Sequence, residues 1–341
     1  MDGFYRIKRE GFPEDLADFG YEFDKEGKLR NIETGEGFKY SARFKDHYYN
    51  EKHYEALADA MTIEVYKMLE SECKLKRAPV PYDVKGDEER TFIFHSEDAF
   101  TNPDKLLVLM HGSGYVKAGQ WSRRLIINDS LKSGSQIPFI QEAQKEGYGV
   151  VVTNTNDNHH HELGLVRGSE HPEAHILHVW KHYIYPAKAK HIAFIVHSNG
   201  GRLVSLLYPQ VEEQFNGRVF AVAMTDSNHY FERHARYVGL QKVSRNWACN
   251  RRPLDTPLRT NNGDVVRVSA GTKVHEETSW LCFNSIFKYL RERLAAVKAK
   301  EGEGEGTSEA TNKESCGNGD KGGGSCLVEE ELKGEVKKMK T

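Results

Sequence analysis

Between residues 92 and 270 the chain switches repeatedly between two apolar patterns. One is the short unbroken run: Phe92-Ile93-Phe94, Leu106-Leu107-Val108-Leu109-Met110, Gly149-Val150-Val151-Val152-Thr153, Ala193-Phe194-Ile195-Val196, Val219-Phe220-Ala221-Val222-Ala223-Met224 and Val265-Val266-Arg267-Val268-Ser269-Ala270. Runs of this length without polar alternation predict strands covered on both faces. The other pattern repeats every three or four residues and predicts helices over 137–143, over 172–185, from Leu203 through Leu206 and Leu207, and over 280–297. Ser169 and Pro172 mark the start of the second helix and Pro186 its stop. Strands alternating with helices predict an α/β fold, a mostly parallel sheet with right-handed crossovers and helices on both faces.

Upstream, residues 1–49 are rich in aromatics and turns. Tyr21-Glu22-Phe23 is followed by Asp24-Lys25-Glu26-Gly27, then Leu29, Ile32 and Thr34-Gly35-Glu36-Gly37, a hairpin pattern. Tyr54, Leu57, Met61, Val65, Met68 and Leu69 form a helical stripe, with Asn50 as its expected cap and Pro79-Val80-Pro81 as a breaker. From Lys300 the chain becomes Gly, Glu, Ser and Lys through Thr341, with too little apolar area to fold, so disorder is expected. Three segments follow: 1–84, a hairpin and amphipathic helix packed on the core; 85–298, the α/β domain; and 299–341, a disordered tail.

Composition narrows the function classes. At 341 residues the chain can form one large α/β domain or two small ones, and its 38% hydrophobic share is low partly because of the tail. A net charge of −2 gives no basic bias, so no direct nucleic-acid contact is expected. Five irregularly spaced cysteines with no Cys-x-x-Cys pair fit a reducing compartment and no zinc finger. No apolar run reaches the ~20 residues of a membrane span, and the first residues lack the apolar core of a signal peptide. An intracellular protein is expected, with no cofactor. Oligomeric state and substrate are not readable.

The candidate chemistry begins at Val196-His197-Ser198-Asn199-Gly200-Gly201. A buried strand ends in a serine and two glycines lead into a helix, which resembles the Gly-x-Ser-x-Gly nucleophile elbow of α/β-hydrolases. Ser198 and Gly200 fit that pattern; Val196 stands where it has glycine. A serine needs a base, an acid to orient the base, and donors for the oxyanion. The hydrolase order of serine, acid and histidine is met by Ser198, Asp226 and His275, each just after a predicted strand. Asp255 and Asp264 are rival acids and His229 a rival base, and Asp226 has an alternative reading as a helix cap. The oxyanion donors would be the backbone N–H of Asn199 and one from Gly112, Ser113 or Gly114. His111, which ends its own strand, shares the rim with them. His171, His175, His178 and His182 share a helical face near His159-His160-His161, but Trp180 and Ile184 make packing the simpler reading, and no metal is expected. Arg123-Arg124, close after Trp121, could clamp an anion or stack on a base, but a helix-surface pair is the simpler reading.

A longer set of motifs carries a family resemblance: Ser96-Glu97-Asp98-Ala99, Thr101-Asn102-Pro103, His111-Gly112-Ser113-Gly114, Ala118-Gly119-Gln120-Trp121, Arg124-Leu125-Ile126-Ile127-Asn128, Gln136-Ile137-Pro138-Phe139-Ile140 and Glu146-Gly147-Tyr148-Gly149-Val150. With His197-Ser198, Thr225-Asp226-Ser227 and Ser269-Ala270-Gly271-Thr272 they resemble the Arb-two domain family, from about residue 20 to residue 290. Leu29-Arg30 and Thr34-Gly35-Glu36 are similar to its animal branch, the cotranscriptional regulators. The resemblance implies a hydrolase-like domain and a regulator or adaptor role in Argonaute-linked silencing or alternative splicing. The implied partners are Argonaute and chromatin-remodelling or splicing proteins, and the implied location is the nucleus or cytoplasm. Two departures stand out. Residues 155–170 are short where larger relatives carry a charged insertion, and Lys338-Met339-Lys340-Thr341 is not the endoplasmic-reticulum retention signal found in some relatives. From the residues alone, the alternative function is a serine esterase or amidase.

Overall fold

The computed structural model describes residues 11–160, 164–229, 237–261 and 263–311. Strands β1 (Tyr21–Phe23) and β2 (Leu29–Asn31) form the expected hairpin. Its turn is closed by the Asp24 carboxylate, which accepts the N–H groups of Glu26 and Lys28 at 2.8 and 2.9 Å. Helix α1 (His47–Ser71) follows. Its cap is Asp46, which accepts the Tyr49 N–H at 3.0 Å, and not Asn50. Asn50 lies inside the first turn, where its amide pairs with both backbone groups of Arg43.

The main sheet begins earlier than the hydrophobic pattern suggested. Residues around the proline breaker form β3 (Lys76–Val80), an edge strand antiparallel to β4 (Thr91–His95). A proline is tolerated there because an edge strand leaves one side without ladder bonds. In chain order come β5 (Lys105–Met110), α2 (Arg123–Asn128), α3 (Leu131–Gly134), α4 (Ile137–Lys145) and β6 (Gly149–Val152), then a small hairpin of β7 (His159–His160) and β8 (Gly164–Leu165). Next are α5 (Pro172–Val179), continued by a π-turn to Ile184, β9 (His191–His197) and α6 (Asn199–Leu207). The chain continues with α7 (Glu212–Arg218), β10 (Val219–Thr225), α8 (Val238–Lys242), β11 (Ser244–Ala248), β12 (Val266–Ser269), α9 (Thr278–Leu281) and α10 (Phe283–Thr311). The eight strands lie in the order β12-β11-β10-β9-β5-β6-β4-β3. All pairs from β12 to β6 are parallel, and only those involving β4 are antiparallel.

Alternate residues of each strand feed two cores. Phe94, Leu107, Leu109, Val150, Val152 and Ile195 meet α1, α4 and α10 on one face. Leu106, Val108, Val151, Phe194, Val222 and Met224 meet α5, α6 and α7 on the other. Every residue of β9 and of β10 is buried, the reason both read as unbroken apolar runs.

Register fixes the functional rim. Met110 pairs with Val196, His197 with Thr225, Thr225 with Trp247, and Ala248 with Ser269. The carboxyl ends of β5, β9, β10, β11 and β12 therefore finish level, and the residues after them share one edge of the sheet. That edge is where α/β sheets place their chemistry.

The chain divides into two units, Met1–Val297 and Lys298–Thr341. The first contains the sheet and both cores. In the second, residues up to Thr311 continue helix α10, beyond the expected start of the tail. A helix already nucleated adds each residue cheaply, and Lys298, Lys300 and Glu301 extend it before Gly302, Gly304 and Gly306 weaken it. The rest of the tail, 312–341, lies outside the described residues.

Candidate functional site

Ser198 sits at the apex of a strained turn. Its φ of 53° and ψ of −119° are unusual for any residue but glycine, a conformation costing about 1–3 kcal/mol. The surroundings hold it there. The Ser198 N–H donates to Thr225 O at 3.0 Å. Its carbonyl accepts from the Ser227 hydroxyl at 2.8 Å and from the Asn228 and Gly201 N–H groups at 3.1 and 3.3 Å. Both glycines that follow are needed. A Cβ on Gly200 would lie 3.1 Å from both Met110 O and Val196 Cβ; one on Gly201 would lie 1.8 Å from Ser227 Oγ. Val196 fits where the usual elbow has glycine because Gly200 opposite it presents no side chain.

Asp226 and His275 meet directly. His275 Nδ1 donates to Asp226 Oδ2 at 2.6 Å, and the Cys249 N–H donates to Oδ1 at 2.8 Å. Burial opposes charge on Asp226, but the hydrogen bonds from His275 and Cys249 outweigh it and hold the carboxyl well below the usual range. In turn the hydrogen bond to Asp226 raises the His275 pKa against a smaller desolvation cost. With Nδ1–H committed to the carboxylate, His275 Nε2 carries the lone pair of a base. Ser198 and His275 line one cleft of about 270 Å³, also bounded by Gly112, Ser113, Trp121 and His197. The Ser198 hydroxyl makes no hydrogen bond among the described residues, so its link to His275 is open in this structure.

The loop after β5 comes close to the serine. A Cβ on Gly112 would fall 2.9 Å from Ser198 Cβ and 3.4 Å from its Oγ, so only glycine lets this loop come so close. Asn199 is the first residue of α6, where a helical N–H has no internal acceptor. Among the described residues the N–H groups of Asn199, Gly112, Ser113 and Gly114 donate to no backbone carbonyl. Asn156 pins the loop, its amide donating to Gly112 O at 2.9 Å and Val116 O at 3.0 Å. His197 forms a wall 4.6 Å from the His275 ring. Burial, then the neighbouring His275, lowers its pKa to about 3, so it stays neutral.

The rival residues are engaged elsewhere. His229 Nε2 and Asp264 Oδ1 pair with each other at 2.7 Å, and Asp255 accepts the Trp247 indole N–H at 2.7 Å. Asp226 caps no helix among the described residues. The histidine stripe is structural. His171 caps α5, and His175 is buried between the Asn154 N–H and the Ser169 hydroxyl. His178 accepts the Tyr82 N–H at 2.9 Å and lies 4.3 Å from the His182 ring. His161 lies outside the described residues. Among the described residues one group could hold a metal ion: Asp226, Cys249 and His275 offer ligand atoms within 4.8 Å of one another. A wider cleft of about 540 Å³, lined by Asp15, Asp18, Glu22 and Glu64 among others, contains no nucleophile paired with a base.

Sequence reasoning missed Cys249, Asn156 and Tyr54. Cys249 follows β11, whose Ser244-Arg245-Asn246 hides the strand. Asn156 looks like any loop asparagine until its acceptors are seen. Tyr54 belongs to the α1 stripe, yet it lines the cleft.

A parallel sheet with one antiparallel strand, a strained serine between β9 and α6, and an acid and histidine on the same rim define an α/β-hydrolase-like protein. The chain belongs to the Arb2 family: residues 12–254 match the Arb2 domain. Ser198, Asp226 and Gly112 lie inside that span, and His275 lies beyond it. The chain is 39% identical to the "Cotranscriptional regulator ARB2A homolog" of Xenopus tropicalis, covering 85% of this chain and 82% of that protein. Identity to the human "Cotranscriptional regulator ARB2A" is also 39%, covering 84% and 82%. A Caenorhabditis elegans protein, "FAM172 family protein homolog Y75B8A.31", is 37% identical, covering 82% and 87%. Among solved structures, "A histone deacetylase from Saccharomyces cerevisiae" has a TM-score of 0.47 at 14% identity, covering 70% of this chain and 98% of that one. "Structure of the histone deacetylase Clr3" has 0.46 at 16%, covering 70% and 39%. The hydrolase-like reading rests on this chain's own strand order and elbow. Among the described residues no helix is long and apolar enough to cross a membrane.

Proposed function

We propose that this protein is a hydrolase-fold regulator whose cleft performs serine acyl hydrolysis. The observation that carries the chemistry is the 2.6 Å bond from His275 Nδ1 to Asp226, on the rim that bears the strained Ser198. Ser198 Oγ bonds to the acyl carbon of an ester or amide as its proton passes to His275 Nε2. The N–H groups of Asn199 and the 112–114 loop receive the oxyanion. The alcohol or amine leaves with that proton. Water then attacks the acyl-serine, giving its proton to His275, and the carboxylic acid departs as Ser198 is restored.

Kinship with the cotranscriptional regulators supports the regulator half. On that reading the protein acts in the nucleus, in Argonaute-linked silencing or alternative splicing, through contact with Argonaute and chromatin-remodelling or splicing proteins. A fluorophosphonate probe separates the halves. Labelling of the wild type that vanishes in Ser198→Ala supports hydrolysis. An unlabelled wild type whose Ser198→Ala variant still captures those partners leaves the regulator role alone.

A further inference from the structure

Arg123 stands apart from the other cations around the cleft. Arg124 pairs with Glu276 at 3.2 Å, and Lys117 with the buried Asp157 at 2.8 Å. Arg123 pairs with no carboxylate and donates no hydrogen bond among the described residues. Its guanidinium lies 5.5 Å from the centroid of Tyr54 and 5.2 Å from that of Tyr115. Aromatic rings attract a cation through their faces but accept little from its N–H donors. Arg123 is half-buried and lines the same cleft as Ser198 and His275. Its N–H donors, accepted by no protein group among the described residues, are left for an anion that enters the cleft. Its flat fork of donors suits a carboxylate held by two bonds.

From this juxtaposition, an unpaired arginine in the cleft of a strained serine, we propose that the site selects short acyl esters that carry a terminal carboxylate. Arg123 is the specificity residue, and the proposal rests on the serine-hydrolase reading above. The cleft, at about 270 Å³, lies just below the usual range of ligand sites, which suits a short acyl chain. Tyr54, Tyr115, Val116 and Trp121 give that chain an apolar lining. Because Tyr54 comes from α1, the N-terminal helix helps form the binding surface as well as the core.

The test compares p-nitrophenyl hemiglutarate with p-nitrophenyl butyrate. The wild type is expected to favour the hemiglutarate in kcat/KM. Arg123→Met should lower the ratio of the two by ~10- to 100-fold, the range for a lost hydrogen-bonded charge, and Arg123→Lys should restore part of it. A second arm uses no turnover: calorimetric binding of monomethyl glutarate to Ser198→Ala, with and without Arg123→Met. Turnover with no preference, or a preference that Arg123→Met leaves intact, overturns the proposal while the hydrolase stands. Monomethyl glutarate binding that depends on Arg123, in a protein that turns over neither ester, keeps the anion site and removes the hydrolase. Absence of both turnover and binding overturns the two together.

Discussion

Asp226→Asn isolates what the carboxylate does for His275. In the native site both carboxylate oxygens accept, one from the Cys249 N–H at 2.8 Å and the other from His275 Nδ1 at 2.6 Å. An asparagine has one acceptor oxygen and one NH₂ group. The backbone N–H of Cys249 cannot turn, so the carbonyl stays on it and the NH₂ group faces His275. Nδ1 must then accept, and its proton moves to Nε2, the atom that should take the proton of Ser198. A base in the wrong tautomer, without an anion to stabilise its charged form, costs about 10³- to 10⁴-fold in rate. The pH profile moves as well. A raised His275 pKa places the acid limb of the wild-type profile above the ordinary histidine value, because the base must be neutral to act. Removing the carboxylate should carry that limb to lower pH. The sign for stability is separate. The His275 contribution is fully present below its unfolded value and is lost as pH rises through its raised folded value. The Asp226 contribution is present above the unfolded carboxyl value and fades as pH falls through its depressed folded one. The assay is fluorophosphonate labelling rate against pH for wild type and Asp226→Asn. A loss below tenfold, or an acid limb that stays in place, would refute the tautomer argument.

Two further outcomes concern the fold that carries the site. Gly201→Ala places a Cβ 1.8 Å from Ser227 Oγ and 2.9 Å from its Cβ. Turning that hydroxyl away also loses its bond to Ser198 O, so about 1–3 kcal/mol of destabilisation and a Tm lower by several degrees are expected. Gly217→Ala, with nothing within 4 Å of its Cβ, is the control, and equal melting of the two variants contradicts the packing argument. The second outcome is acid sensitivity. Burial, the largest cause in each case, lowers His111 to about 4 and His175 and His197 to about 3. Below the ordinary value near 6.5 the unfolded chain binds protons that the folded one refuses, so stability falls with acidification by ~1.4 kcal/mol per pH unit for each group. Urea midpoints measured from pH 7 to pH 5 should drop accordingly and more shallowly in His175→Gln; an unchanged slope would count against the buried neutral ring.

The strands that form the centre of the sheet were legible because burial on both faces demands unbroken apolar runs, and β5, β6, β9 and β10 have them. The elbow was legible because a sharp turn between strand and helix leaves no room for side chains, and Gly200 and Gly201 report that locally. β3 and β11 were not. One is an edge strand that tolerates Pro79, and the other hides its apolar side behind Arg245 and Asn246, so neither carries the pattern that burial writes into a sequence. The order along the chain pointed to Asp226 as the acid, with Asp255 and Asp264 as rivals, but its pairing with His275 needed the fold. All three carboxylates are chemically alike along the chain, and only the level ends of β10 and β12 bring one of them within 2.6 Å of His275. Tyr54 and Arg123 belong to segments far apart in the sequence, and the cleft they share arises only when α1 packs across the sheet. Hydrophobic periodicity is a property of neighbours along the chain, whereas a site is set by strand register and helix packing, which no local pattern encodes.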